Sequence, residues 1–521
     1  MTIKRAILAL LTLLAIARIA FSLNDSLSEP QIQSRLELYQ TNLVLYVAEF
    51  KSNEESDFDL NTAVDSLVGE DPYAVAAKQY QKVRKETKIS RAHFETQLQQ
   101  LTIVGDDSKT QTVADNTKIQ VAAQKSQLNK QIDKLDDFVN EIDLKQGILN
   151  TAKKKEDKAL SIWNQLITRV DDSENEYAKT AMVLSNLWQE KPQPLAQSEA
   201  IIKDNLDSWF RYQALEKLYQ IENRLDDLAV LQAQKQELAT QSIFKLALIS
   251  GIPVVGGIGG VILLIFLIVQ WFIKKETAII STNSNHVWET PWDWEITWQV
   301  LIVGFFFVGQ FVLPLLLGIF GINPVNSSLR IKALYVFGTY ILMTLGGISV
   351  LYFSIKSFFP LPQDWFKFKL VSNWFVWGFG GYLVAIPLVL IVSLINQQIW
   401  QGQGGSNPLL FLALQAQDKV ALAIFLITAS IAAPIFEEIM FRGFLLPSLT
   451  RYIPVWGAII ISGLIFAIAH LSLSEVLPLA TLGIILGTVY TRSRNLLAPM
   501  LLHSLWNSGT LISLFVLGNG V

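Results

Sequence analysis

Five side chains in this 521-residue sequence stand out for what it would cost to bury them: Glu437, Glu438, Arg442, His470 and His503. All lie in apolar surroundings, and ionisable groups inside membrane-embedded segments are rare, costly and usually functional. Three of them form EEIMFR (437–442), directly after the apolar run VALAIFLITASIAAPIF. Glu438 and Arg442 are four residues apart, so on a helix they share a face and can neutralise each other. Glu437 points about 100° away from Glu438. That leaves Glu437 unpaired and suited to the work of a general base. FAIAH sets Phe466 and His470 four apart, and HSLWN does the same for His503 and Asn507. An imidazole and a carboxamide on one face can both donate hydrogen bonds, as an oxyanion hole requires.

Any one of these residues alone reads as a satisfied polar bridge between helices. Their clustering in three of the last four apolar spans, beside five spans almost free of ionisable groups, favours a site instead. At ~1.5 Å of rise per residue, Glu437 and His503 fall at the same depth, ~15 Å from one end of their spans. His470 falls nearly a span away, so a tilt or a break is needed to bring it in.

Elements of membrane length must carry these groups, each with ~20 apolar residues. They are expected at 246–273, 297–320, 331–354, 374–396, 418–447, 454–470, 475–491 and 496–517. The fold class is all-α: a polytopic membrane bundle of about eight core helices plus an N-terminal helical, coiled-coil-like extramembrane domain. Residues 1–23, with a basic start and an apolar core, read as a signal peptide or signal anchor. Residues 24–243 form the extramembrane domain and 244–521 the membrane domain. The glycines of PVVGGIGG (253–260) lack a strand and a following Lys-Ser/Thr, so Gly256 and Gly260 point to helix–helix contact and not to a nucleotide loop. Trp288, Trp292 and Trp294 read as interfacial anchors, and His93 and His286 as solvated residues. Basic residues recur in alternate breaks at Lys274, Lys275, Lys356, Lys367, Lys369, Arg442, Arg451, Arg492 and Arg494. By the positive-inside rule those breaks face the cytoplasm and 24–243 the other side.

In the extramembrane domain Leu128, Ile132, Leu135, Val139 and Ile142 form an apolar helical seam, and Leu218, Ile221, Leu225, Leu228 and Leu231 repeat it. Such seams more often build a protein's own bundle than an interface, though a partner protein or self-association through 24–243 stays open. A net charge of −3 and the absence of a basic run point away from nucleic acid. With no cysteine, the chain has no disulfide, no thiolate zinc site and no cysteine nucleophile.

EEIMFR, FAIAH and HSLWN, in that order, resemble the motifs EExxxR, FxxxH and HxxxN of the intramembrane CAAX endopeptidase (CPBP) family. The resemblance covers about residues 400–517 and does not extend over 24–243. GGSNPL (404–409) is similar to a segment preceding the catalytic helix in photosynthetic-lineage members, which suggests a prokaryotic plasma or thylakoid membrane. The resemblance implies that Glu437 activates water with help from His470, and that His503 and Asn507 stabilise the oxyanion. Glu438, Arg442 and Phe466 match supporting positions. It also implies membrane lipids and a membrane-associated peptide substrate as partners, with a cavity open towards the cytoplasm. A zinc ion held by Glu437, His470 and His503 is the rival mechanism, since two histidines and a carboxylate are a known catalytic set. The missing HExxH and the nearby arginine favour the metal-free version. Two other classes compete: a catalytically silent scaffold or immunity-type protein, and a transporter, for which the expected internal duplication is not seen.

Overall fold

The computed structural model of the chain describes residues 2–27, 31–50, 68–107, 115–170, 174–324, 327–415 and 418–518, together with 64 and 172. Two compact units divide it, one of Met1–Glu29 with Gly251–Asn519 and one of Pro30–Ser250 with the last two residues. Among the described residues the regular elements are all helices.

The second unit contains α2 (Ile32–Val47), α3 (Pro72–Asp107), α4 (Asp115–Ala152), α5 (Glu156–Val170), α6 (Glu176–Trp188), α7 (Ser198–Asn205) and α8 (Ser208–Ile221). The expected seam of α4 is real: Ile132 and Leu135 pack on Phe94 of α3, with Leu128 alongside, making a long antiparallel hairpin. Trp163, Trp209 and Phe210 fill the core, and a methyl at Gly147 would meet the Trp163 ring nitrogen at 2.1 Å. The second seam does not run on one helix. Asn223 takes a positive φ of 52°, and Arg224 N–H returns to the Tyr219 carbonyl at 3.0 Å, a left-handed cap that ends α8. Leu225 is left 72% exposed at the start of the next helix, α9 (Leu225–Lys274), which passes from the second unit into the first at residue 251.

The other unit gathers α1 (Ile3–Ser26), the second half of α9, α10 (Trp294–Ile319), α11 (Leu329–Ile355), α12 (Trp374–Trp400), α13 (Pro408–Gln415), α14 (Lys419–Leu449), α15 (Val455–Ile468), α16 (Val476–Ser493) and α17 (Leu497–Gly518). Among the described residues eight helices are long and apolar enough to cross a membrane, and α1 is one of them. The chain is an integral membrane protein. The span expected at 454–470 is shorter than that: α15 has 14 residues and stops at Ile468.

Glycines allow the closest helix approaches, as the sequence suggested for Gly256 and Gly260. A methyl on Gly260 would lie 2.0 Å from the Leu383 carbonyl of α12. The α15–α16 crossing is close for the same reason, because Gly463 and Gly483 meet backbone to backbone: a methyl on Gly483 would sit 2.8 Å from the Gly463 Cα. Basic residues collect at one end of the bundle. Arg492 donates to the Ile280 carbonyl at 2.6 Å, Arg451 to the Thr290 carbonyl at 3.0 Å, and Lys367 pairs with Asp364 at 3.3 Å. At the opposite end Arg330 and Asp418 pair at the starts of α11 and α14.

Trp288 and Trp292 are not interfacial. They are 3% and 1% exposed; Trp288 stacks on Tyr490 and Trp292 packs on Trp365 and Phe444. Their indole N–H groups are used up on the Asp364 carbonyl and the Ser448 hydroxyl, which is why such rings could leave the interface. Trp294, 47% exposed, does face outwards.

Overpacking the Gly463–Gly483 crossing offers backbone no room to yield. Gly483→Val should therefore destabilise by ~1–3 kcal/mol. A lower thermal unfolding midpoint in detergent is expected, while Gly259→Val, which meets open space, should shift it far less.

Candidate active site

The helix that carries EEIMFR is not a uniform α-helix. Within α14 the stretches Thr428–Ala432 and Ile439–Leu445 are π-helical, as is Val300–Val312 within α10. Each ends two residues before a proline: Pro434, Pro447 and Pro314. A proline has no N–H for the carbonyl one turn earlier and its ring crowds that carbonyl, so the turn before it widens. At Pro434 this frees the carbonyls of Ala429 and Ser430. Both are taken by α17: Asn507 Nδ2 donates to the Ala429 oxygen at 2.7 Å, and the Ser504 hydroxyl to the Ser430 oxygen. A proline on one helix thus sets the register of the helix that bears His503.

Between the two wide stretches, Glu437 and Glu438 reach the same imidazole from two sides. Glu438 Oε1 accepts from Arg442 Nη1 at 2.8 Å and from His503 Nδ1 at 2.8 Å. The three side chains are 0%, 0% and 3% exposed. Arg442 also donates to the Gly483 carbonyl at 3.0 Å, which the glycine crossing brings within reach. A buried carboxylate, guanidinium and imidazole are tolerable only when bonded to one another in this way. Because the carboxylate holds Nδ1, His503 presents Nε2 to Glu437, whose Oε2 is 3.9 Å away. The Glu437 side chain is 14% exposed.

Glu437 is not without a local partner: Tyr340 of α11 donates its hydroxyl to Oε1 at 2.9 Å. Oε2 is buried and has no hydrogen-bond partner. Phe436, fully buried beside it, meets Tyr340 edge-on and lies against Phe305.

His470 arrives through a break, one of the two routes open to it. Beyond Ile468 the chain leaves the helix, and His470 Nδ1 donates back to the Phe466 carbonyl at 2.8 Å, leaving Nε2 free. Phe466 is the hub: His470 and His503 meet its ring at 4.8 and 5.6 Å, and the Arg442 guanidinium lies over it at 4.5 Å. The GGSNPL segment holds the break in place. Ser474 N–H bonds the Gly404 carbonyl at 3.0 Å, and Glu475 accepts from the Asn407 N–H at 2.9 Å. Gly404 has φ +98°, and a methyl there would meet Ser474 Cβ at 2.8 Å. From the other side α1 packs Leu11, Ala15 and Ile19 against Ile302, Phe306, Ile465 and Ala469. Its ends are tied by Arg5 to Glu295 at 2.7 Å and by Ser26 to the Leu473 N–H at 3.2 Å.

Glu437, Glu438, Arg442, Phe466 and His503 are thus brought into direct contact, His470 joins them at Phe466, and Asn507 gives one N–H to a backbone carbonyl. Among the described residues no three His, Asp or Glu side chains stand together as a set of metal ligands. Tyr340 escaped the sequence reading because that reading sought charges; its signal was a hydroxyl in an apolar span, with Thr344 one turn on.

The glutamates and histidines of this buried centre lie within or beside the stretch that the comparisons with known proteins match. Residues 419–509 match the family model "Type II CAAX prenyl endopeptidase Rce1-like", so this stretch is similar to that family. The chain is 28% identical over 137 residues to the candidate membrane peptidase YdiL of Bacillus subtilis (strain 168), covering 26% of this chain and 55% of that protein. It is 28% identical over 142 residues to the membrane-embedded CAAX protease MroQ of Staphylococcus aureus (strain USA300), covering 26% and 56%. It therefore spans only about half the length of these relatives. No solved structure matches.

Removing the Asn507 carboxamide would leave the Ala429 carbonyl unpaired in the bundle, at a cost of ~1–3 kcal/mol. Asn507→Ala should lower the unfolding midpoint in detergent, whereas Thr510→Ala, at an exposed site on the same helix, should leave it within error.

Proposed function

We propose that the membrane unit is an intramembrane endopeptidase that hydrolyses peptide bonds of membrane-associated protein substrates, with Glu437 as the base. The observation that carries this reading is the division of labour between the two glutamates. Glu438 is consumed by Arg442 and His503, while Glu437 keeps a free oxygen facing His503 Nε2. In the proposed step Glu437 takes a proton from water as the oxygen attacks the scissile carbonyl carbon. Negative charge moves to the carbonyl oxygen, where His503, through Nε2, and Asn507, through its remaining N–H, stabilise it. The C–N bond then breaks, and Glu437 returns the proton to the leaving amine. His470, its Nδ1 engaged, turns Nε2 towards the attacking water. Tyr340 fixes the carboxylate plane of Glu437. Glu438, Arg442 and Phe466 are positioning residues.

The basic end of the bundle supports a cytoplasmic face there, with α1 beginning on that side. A zinc-dependent version would need a third ligand to join Glu437 and His503. The inactive scaffold is the alternative, in which the same contacts serve only to hold α14, α15 and α17.

Reconstituted into proteoliposomes with candidate peptides, the wild type should cleave and Glu437→Gln should be slower by about 10²–10⁴-fold, the usual worth of a general base. Equal cleavage by the two, or none by the wild type with any substrate in cells, would sink the enzyme reading. Full activity after exhaustive chelation would exclude zinc. Tyr340→Phe removes a hydrogen bond to a charged group, worth ~1.5–3 kcal/mol, so a fall of about 10–100-fold in kcat is expected at nearly unchanged KM.

A further inference from the structure

The extramembrane unit holds a charged feature that its sequence disperses. Along α3, Lys78, Lys82, Lys85, Lys88 and Arg91 recur at spacings of four and three, a cationic stripe that winds around the helix from one cavity to the next, with Arg84 beside it. Opposite them stand Lys155, Lys158 and Arg169 of the α5 side, with Lys153 from the end of α4. Together they line three neighbouring cavities of about 300, 630 and 640 Å³. Those linings hold ten cations but two carboxylates, Asp143 and Asp136.

Both carboxylates are already committed. Asp143 bridges Arg84 and Arg169, the latter at 2.8 Å, and Asp136 pairs with Arg91. Lys82 reaches Glu37 at 2.9 Å. Lys78, Lys85, Lys88, Lys153, Lys155 and Lys158 have no carboxylate partner among the described residues. Crowding has a visible effect: partial burial, then the charges of Arg84, Arg169 and Arg91, hold the Lys88 ammonium below the ordinary lysine value, against the pull of Asp143. Such a field attracts anions and is relieved by them. Lys78 to Arg91 covers ~20 Å of helix, about the length of six residues of extended peptide.

The floor of the groove decides between anions. Ala74, Ala77 and Ile162 line the first cavity, Val139 and Val170 the second, Ile89 and Ala92 the third. A phosphate polymer makes no use of such a floor, whereas a peptide mixing acidic and aliphatic side chains uses both walls and floor. We propose that the groove between α3 and the α4–α5 hairpin is a docking site for an acidic, partly aliphatic polypeptide segment. It lies within the extramembrane unit and stands independently of the chemistry assigned to Glu437.

Fluorescence anisotropy on the full-length protein in detergent tests it, with a labelled Glu/Leu-alternating dodecapeptide, inorganic polyphosphate and anionic phosphatidylglycerol vesicles as probes. The peptide should bind, with an affinity that falls as salt rises. The triple variant Lys78→Glu, Lys85→Glu, Lys88→Glu, all exposed residues, should weaken it at least tenfold without moving the unfolding midpoint. A charge-matched control, Lys191→Glu, Lys217→Glu, Lys275→Glu, should bind as the wild type does. Equal weakening by the control, unchanged binding by the triple variant, or capture of polyphosphate or vesicles in preference to the peptide would each overturn the proposal.

Discussion

One oxygen of Glu438 carries two hydrogen bonds, and the centre is organised around it. Arg442, at zero exposure, has this carboxylate as its ion-pair partner, and the same oxygen sets the orientation of His503. The pairing is therefore both an electrostatic necessity and a piece of aiming. Neutralising the guanidinium fixes Nδ1 of the imidazole, and fixing Nδ1 directs Nε2 to Glu437. Removing either partner would strand a charge in an apolar bundle, which costs far more than the pair itself contributes.

Around that oxygen, main-chain irregularities supply the geometry. Three prolines each follow a widened helical stretch, and the carbonyls freed at Pro434 become acceptors for Ser504 and Asn507. In a hydrocarbon environment an unpaired carbonyl must find a donor, so a local defect in α14 becomes a specific bond to α17. The break after α15 works likewise: released from the helix, residues 472–475 are clipped by Gly404, Gly405 and Asn407. Asn507 therefore has a structural duty besides any part in catalysis.

Helical phase alone was enough to foresee the Glu438–Arg442 pair and the exclusion of Glu437 from it, since an i,i+4 contact survives even a π-helical turn. Depth counting put Glu437 and His503 at one level, and asked of His470 a tilt or a break, of which the structure has the break. The rest hid for identifiable reasons. Tyr340 lies nearly 100 residues upstream and is uncharged, so neither burial cost nor motif order marks it. Both glutamates converge on one imidazole because its two nitrogens reach in different directions, which a helical wheel does not represent. The Leu218–Leu231 repeat looked continuous because Glu222, Asn223 and Arg224 are compatible with a helix, and only the left-handed Asn223 betrays the turn. The cationic groove was invisible because two of its walls are distant in sequence.

The tethering of α1 constrains the order in which the chain can mature. Its first anchor, Glu295, lies 290 residues downstream of Arg5, and its second, Leu473, lies 447 residues beyond Ser26. At ~5–20 residues per second of synthesis, α1 waits about 15–60 s for the first and longer for the second. During that interval the stretch Pro30–Ser250, which forms nearly all of the second compact unit, has been made. α1 is thus made well before the residues that seat it, and the wall behind Ile465 and Ala469 closes only after those have emerged. A bundle seated in that order completes the wall behind its centre only after Leu473 has been made.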